Sequence, residues 1–240
     1  ASRNLIKRIN YAIWQKTGDE AHSVAHCSAT HTMPSTGHYM AMLIGEHVYS
    51  GYFRNRNPEF LPPENDRLYY YSYALPMDRV RTECYHRQWG AVMLWLPCLK
   101  DQKDLMILPG PTRDMLSRIM QADMLVWPLF CNREEVVKTW KFREEFGIGA
   151  PGVEFIPYWE KQPVQSDTAE VVCGVYRDGD KALIIVSNLN RAAKEVRLKF
   201  TGLPLKSVKN AETLEAVEFS GDTVTLSIPR NDYRALRINY

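Results

Sequence analysis

The chain has 240 residues, of which 45% are hydrophobic and 24% charged, and its net charge is +2. This is the composition of a globular protein with a substantial core, in one large domain or two modest ones. The basic residues are spread along the chain, which excludes the clustered footprint of a nucleic-acid binder, and no apolar run reaches the length of a membrane span.

Residues 3–16 put Leu5, Ile9, Ala12 and Ile13 on one helical face, and Gly18 supplies a stop. Ser23–Ala29 reads as a short strand, followed by a polar turn over 31–37. Met40–Ile44 is a continuous apolar strand that ends at Gly45-Glu46-His47. Such runs suit strands covered on both faces, as in parallel sheets. Residues 50–75 form a long excursion rich in Arg, Asn, Pro and Tyr, of the kind that serves function or interaction. Pro76 and Asp78 open a helix through about His86. Ala91–Leu96 is a further buried strand, closed by Pro97, and a loop with Asp101, Asp104 and Pro109-Gly110-Pro111 follows.

Thr112 is expected to cap a helix carrying Leu116, Ile119 and Met120. Met124–Phe130 is the next strand, with Pro128 marking its end or a bulge. Asn132 and Glu135 have capping-box spacing and open a helix that runs to Gly147. Val153–Tyr158 is one more short strand, and 161–168 is a polar linker. Beyond it the hydrophobic period becomes two. Ala169–Tyr176 and Lys181–Asn188 flank Asp178-Gly179, a hairpin signal, and Val196/Leu198/Phe200 and Val224/Leu226/Ile228 alternate with polar neighbours.

The fold class expected is therefore α/β plus all-β: the C-terminal half of a (β/α)8-type barrel over residues 1–162, then a small antiparallel β-sandwich over 163–240. About four or five strand–helix units precede Pro163. The chain opens on a helix at Ala1 without an initiator Met, which gives the expectation of a fragment lacking the N-terminal half of the barrel.

Barrel active sites sit at the C-terminal ends of strands. Glu46 follows such a strand directly after Gly45, placed to act as acid, base or nucleophile in glycosidic cleavage. An ordinary ion pair with a nearby Arg is the plain alternative. Asp101 follows the strand over 91–96 and is the candidate second carboxylate. His26, His47, Trp127 and Asn132 are candidate substrate-binding residues: imidazoles and an amide for sugar hydroxyls, and an indole at a strand end for a sugar face. Trp89, Trp95 and Trp159 fit core or interface positions better, and Arg81 and Glu83 fit structural ion pairs. His26, His31, His38, Glu46 and His47 are metal-ligand types, but no H-E-x-x-H is present and no metal is expected. Nucleophile-elbow, dinucleotide and phosphate-loop motifs are absent, and no cofactor is expected. The cysteines (Cys27, Cys84, Cys98, Cys131 and Cys173) are odd in number and scattered, so a disulfide framework is not expected.

Taken together, Ile44-Gly45-Glu46-His47, the run Leu75 to Glu83, Arg87-Gln88-Trp89-Gly90, Leu125-Val126-Trp127-Pro128 and Glu154 to Trp159 resemble the C-terminal half of large bacterial proteins related to glycoside hydrolase family 123. Leu183 to Leu189 and Asp232 to Leu236 resemble their closing β-sandwich. The resemblance implies a secreted or periplasmic glycosidase with a (β/α)8 barrel, acting on an oligo- or polysaccharide. Classical members cleave N-acetylgalactosaminides with an adjacent Asp-Glu pair and the substrate's own acetamido group. Here the Asp-Glu doublet is Asp19-Glu20, after the first helix and on the wrong side of a barrel, so that mechanism does not transfer. A non-catalytic carbohydrate-binding or scaffold protein with a hydrolase-like fold is the alternative expectation.

Overall fold

The computed structural model describes residues 2–19, 23–26, 39–45, 64–85, 91–97, 99 and 103–240. Helix α1 (Ser2–Thr17) forms as its apolar period predicts and stops at Gly18, whose φ of 77° suits glycine. Of its apolar side chains Ile6 is buried, whereas Leu5, Ile9 and Trp14 are exposed.

Strands β1 (Val24–His26), β2 (Ala41–Ile44), β3 (Val92–Trp95) and β4 (Leu125–Val126) build one parallel sheet in the order β1-β2-β3-β4. Met42, Ile44, Met93 and Trp95 are fully buried in it, as their continuous apolar runs require. The strand expected over 124–130 is cut to two residues. Pro128 lacks an N–H for a ladder, and Phe130 turns away at a φ of 60°.

The crossover from β2 to β3 holds structure that the Tyr-rich run does not announce. A 3₁₀ turn (Glu64–Tyr69) leads into helix α2 (Tyr70–Ala74), which buries Tyr70 and Tyr71. A helical turn α3 (Met77–Arg79) follows and widens to a π-helical turn over Val80–Cys84. Glu83 pairs with Arg79 at 2.9 Å, and Arg81 lies over the Trp159 ring at 5.5 Å.

From β3 to β4 run α4 (Lys103–Ile107) and α5 (Pro109–Ile119). Helix α5 begins four residues earlier than expected, with Leu108 at the N-cap position. Pro109-Gly110-Pro111 is its first turn, because prolines there forgo N–H groups that have no helical partner. Thr112 is therefore inside the helix, where its hydroxyl accepts from the Asn132 N–H at 2.9 Å.

Helix α6 (Arg133–Phe146) starts at Asn132 and ends at Gly147 (φ 89°), as predicted. The box is only half made. Asn132 Oδ1 accepts from the Glu135 N–H at 3.2 Å, but the Glu135 carboxylate turns to Arg113 and Lys138.

The remaining strands are antiparallel. A five-stranded sheet has β5 (Glu154–Ile156) and β7 (Val171–Asp178) at one side, β8 (Lys181–Asn188) at its centre, and β13 (Asp232–Asn239) and β10 (Ser207–Asn210) beyond. A four-stranded sheet joins β6 (Val164–Ser166), β9 (Lys194–Phe200), β12 (Thr223–Ile228) and β11 (Phe219–Ser220). The predicted hairpin is present: β7 and β8 are joined at Gly179-Asp180, with Gly179 at a φ of 57°. Strand β5, expected within the half-barrel over 1–162, instead pairs antiparallel with β7 in the five-stranded sheet.

The five-stranded sheet is covered on both faces. Ala182, Ile184 and Val186 of β8 pack in one apolar cluster with Val196, Leu198, Val224 and Ile228 of the four-stranded sheet. Leu183 and Ile185, on the opposite face, join the larger core with Met115, Ile119 and Met120. Each Val, Leu, Ile or Met among them contributes about 1.5–3 kcal/mol through burial.

The two layers are also bolted by ion pairs. Arg113 of α5 reaches Glu135 (2.8 Å), Glu212 (3.0 Å) and Asp232 (2.6 Å). Arg143 of α6 donates to Asp123 (2.8 Å) and to the Tyr176 hydroxyl on β7 (2.9 Å). Although burial would raise it, Glu135 is held below the usual carboxylate range by hydrogen bonds from Lys138 and Arg113. Among the described residues, no helix is long and apolar enough to cross a membrane.

Candidate functional site

The C-terminal ends of β1–β4 form a row, and two of the sequence candidates, His26 and Trp127, lie on it. His26 is the last residue of β1 and pairs in register with Leu43. Trp127 comes directly after β4, its N–H donating to the Trp95 carbonyl at 2.9 Å, and its side chain is half exposed. These two candidates lie at opposite edges of the sheet, on the order of 14 Å apart from three strand spacings.

Between them the backbone is tightly drawn. The Leu96 N–H donates to the Ile44 carbonyl at 2.7 Å, and Gly45 has a φ of 116°. A Cβ on Gly45 would sit 2.4 Å from the Leu96 carbonyl oxygen. Glycine is thus required by the close approach of β2 and β3. Glu46, His47 and Asp101, together with His31 and His38, lie outside the described residues.

Asn132 is placed by α6 rather than by the strand ends. Its Nδ2 donates to the Ile107 carbonyl at 2.7 Å while Oδ1 caps the helix. Both ends of this amide are engaged within the protein.

Two residues not singled out as site candidates line the floor of the row. Trp95 is fully buried at the end of β3, and its Nε1 has no hydrogen-bond partner among the described residues. Tyr71 is packed edge-on to it at 6.4 Å and donates its hydroxyl hydrogen bond to the Pro97 carbonyl, just past β3. The signal available in sequence was the run Tyr69-Tyr70-Tyr71-Ser72-Tyr73 before a helical stretch.

Among the described residues no three His, Cys, Asp or Glu side chains converge as a metal site. Cys84, Cys131 and Cys173 are buried free thiols, each pushed up to about 12 by burial, which makes them poor nucleophiles.

A cavity of about 790 Å³ lies elsewhere, bounded by Ser72, Met77 and Arg118 on the helical side and by Glu170, residues 189–192 and Lys194 on the β side. None of the described candidates lines it.

This architecture has known counterparts. Residues 135–222 match the model of the glycoside hydrolase 123 C-terminal domain. The C-terminal region is accordingly related to glycoside hydrolase 123. No curated protein matches the chain.

Among solved structures, it resembles a noncanonic maltogenic alpha-amylase, AmyB, from Thermotoga neapolitana (12% identity, TM-score 0.52), over 100% of this chain and 59% of that one. It resembles alpha-galactosidase I from Mortierella vinacea (10%, TM-score 0.51), over 99% and 62%. It also resembles the alpha-amylase of Geobacillus thermoleovorans, solved with acarbose (10%, TM-score 0.53), over 99% and 57%. The likeness is one of fold: the mixed α/β arrangement with antiparallel sheets is the one these enzymes contain. The chain spans about three fifths of their length.

Proposed function

We propose that this chain is the C-terminal part of a glycoside hydrolase acting on an oligo- or polysaccharide. In this reading residues 1–162 are the half-barrel and 163–240 the β-sandwich, with β5 the strand that ties one to the other. The observation that carries the proposal is the match of residues 135–222 to the glycoside hydrolase 123 C-terminal domain. The row of parallel strand ends supports it, since four strands are half of what such a barrel needs.

Glu46 is the proposed carboxylate at the scissile bond and Asp101 its partner, following adjacent strands β2 and β3. Their separation decides between a covalent and a water-mediated displacement. His26 and His47 are the proposed hydrogen-bonding groups for sugar hydroxyls and Trp127 a stacking surface, whereas the Asn132 amide is engaged at the α6 N-cap. Export to the periplasm or the cell exterior is part of the same reading.

The test uses the full polypeptide that carries this sequence, assayed on N-acetylgalactosaminides and a panel of aryl glycosides. Glu46→Gln is expected to lower kcat at least 100-fold with an unchanged circular dichroism spectrum. Undiminished turnover in that variant would overturn the assignment.

One observation favours a second reading, a non-catalytic glycan-binding module. The half-exposed Trp127 offers a sugar-stacking face, while no adjacent Asp-Glu pair stands at a strand end. Under that reading Trp127→Ala abolishes glycan binding and the unsubstituted protein shows no turnover of any glycoside.

A further inference from the structure

We propose that the 790 Å³ cavity between α5 and the β8–β9 connection is a binding site for a saccharide carrying a carboxylate, such as a uronic acid unit. Its size suits one or two sugar rings.

Arg118 is the anchor. Its side chain is only 5% exposed and lines the cavity. Nε donates to Asp114 at 3.2 Å and Nη2 to Asn231 Oδ1 at 2.9 Å, which leaves Nη1 with no hydrogen bond among the described residues. Nη1 is therefore the corner of the guanidinium open to an incoming oxygen. The neighbouring Asn231 turns Oδ1 to Arg118, and its Nδ2 is buried without a partner.

The charges around the cavity select the ligand. Asp114 balances Arg118. Of the remaining lining groups, Arg191 and Lys194 are cationic and Glu170 is anionic, an excess of one positive charge. That excess matches a monoanion. Glu170 disfavours a bare multivalent ion but accepts hydrogen bonds from hydroxyl groups. Met77, Leu189 and Ala192 give the apolar wall that a sugar's C–H face needs.

The loop is held in place before any ligand arrives. The fully buried Asn188 donates through Nδ2 to the carbonyls of Ala192 (2.9 Å), Ile228 (3.1 Å) and Pro229 (2.9 Å). Arg191 lies over the Tyr73 ring at 5.0 Å. Such preorganisation favours binding by reducing the ordering cost.

Titration of the isotope-labelled protein with glucuronate, glucose and acetate, followed by amide NMR, tests the site. Glucuronate is expected to shift the amides of residue 170 and residues 189–194, while glucose and acetate at equal concentration do not. The double variant Arg191→Ala/Lys194→Ala, altered at accessible positions, is expected to bind glucuronate at least ten times more weakly with its remaining spectrum unchanged. Equal responses to acetate and glucuronate, equal responses to glucose and glucuronate, or unaltered affinity in the double variant would each overturn the proposal. Glu46→Gln is expected to leave this binding intact, so the cavity and the glycosidase reading fail separately.

Discussion

Asp114 shows what one buried side chain does to the pH dependence of the whole fold. It is fully buried, and that burial lifts its carboxyl to about 6 despite Arg118 beside it and the Ser72 N–H donating at 2.9 Å. In the unfolded chain an aspartate titrates near 3.8. The folded state therefore holds the proton more tightly. This group's contribution is fully present below about pH 4, is lost as pH rises toward 6, and is constant above it. Urea unfolding between pH 4 and 7 is expected to show that decline, and Asp114→Asn is expected to remove it. A slope that survives the substitution would place the titration elsewhere. None of this was visible in the sequence, where Asp114 is one charged residue among many on a helix. Gly45 was easier to notice, since it precedes a candidate carboxylate. It is required by the approach of Leu96 from the neighbouring strand, a contact that sequence alone does not contain.

At the scale of elements, Asn132 has a measurable structural task. It caps α6 and ties that helix to the end of α4 through the Ile107 carbonyl. Asn132→Ala is expected to cost about 1–2 kcal/mol of stability, read as a lower urea midpoint. Asn132→Asp, which keeps the capping oxygen and loses the amide donor, is expected to recover part of it. Helix α6 was legible because Asn132 and Gly147 bracket it with strong local signals. Helix α5 was misplaced at its start because Pro-Gly-Pro usually marks a turn, and only the surrounding packing makes it a first helical turn. Helix α2 was missed because its residues, Tyr-Tyr-Ser-Tyr-Ala, have no marked helical preference. Burial of Tyr70 and Tyr71 in the core decides it. The strands of the parallel sheet were read correctly where apolar runs were continuous. Their carboxylate neighbours could be named from order along the chain, but not their distances from one another.

For the molecule as a whole, Arg113 is the bolt between the helical layer and the sheets. Its partners Glu135, Glu212 and Asp232 are nearly buried, so removing the guanidinium leaves carboxylates uncompensated. Arg113→Ala is expected to cost about 3–5 kcal/mol. All six tryptophans lie between Trp14 and Trp159, before the β-rich end. Tryptophan fluorescence thus reports the first part, and circular dichroism near 218 nm the strands. The two signals are expected to move together to a lower midpoint in the variant. Separate transitions in the unsubstituted protein would show that the layers are not coupled. The change of hydrophobic period near Pro163 was legible, yet the degree of fusion across it was not, because Arg113 meets partners 99 and 119 positions away.

Strand β8 carries a consequence of its own. In a sheet with one wet face, every second position is free to drift. Here the even positions Ala182, Ile184 and Val186 answer to one interior, and Leu183 and Ile185 to another. Neither parity is spare. A substitution anywhere in this run must be accommodated by the sheet on one side or the helices on the other, so the two halves of the chain are obliged to evolve in step through a single strand.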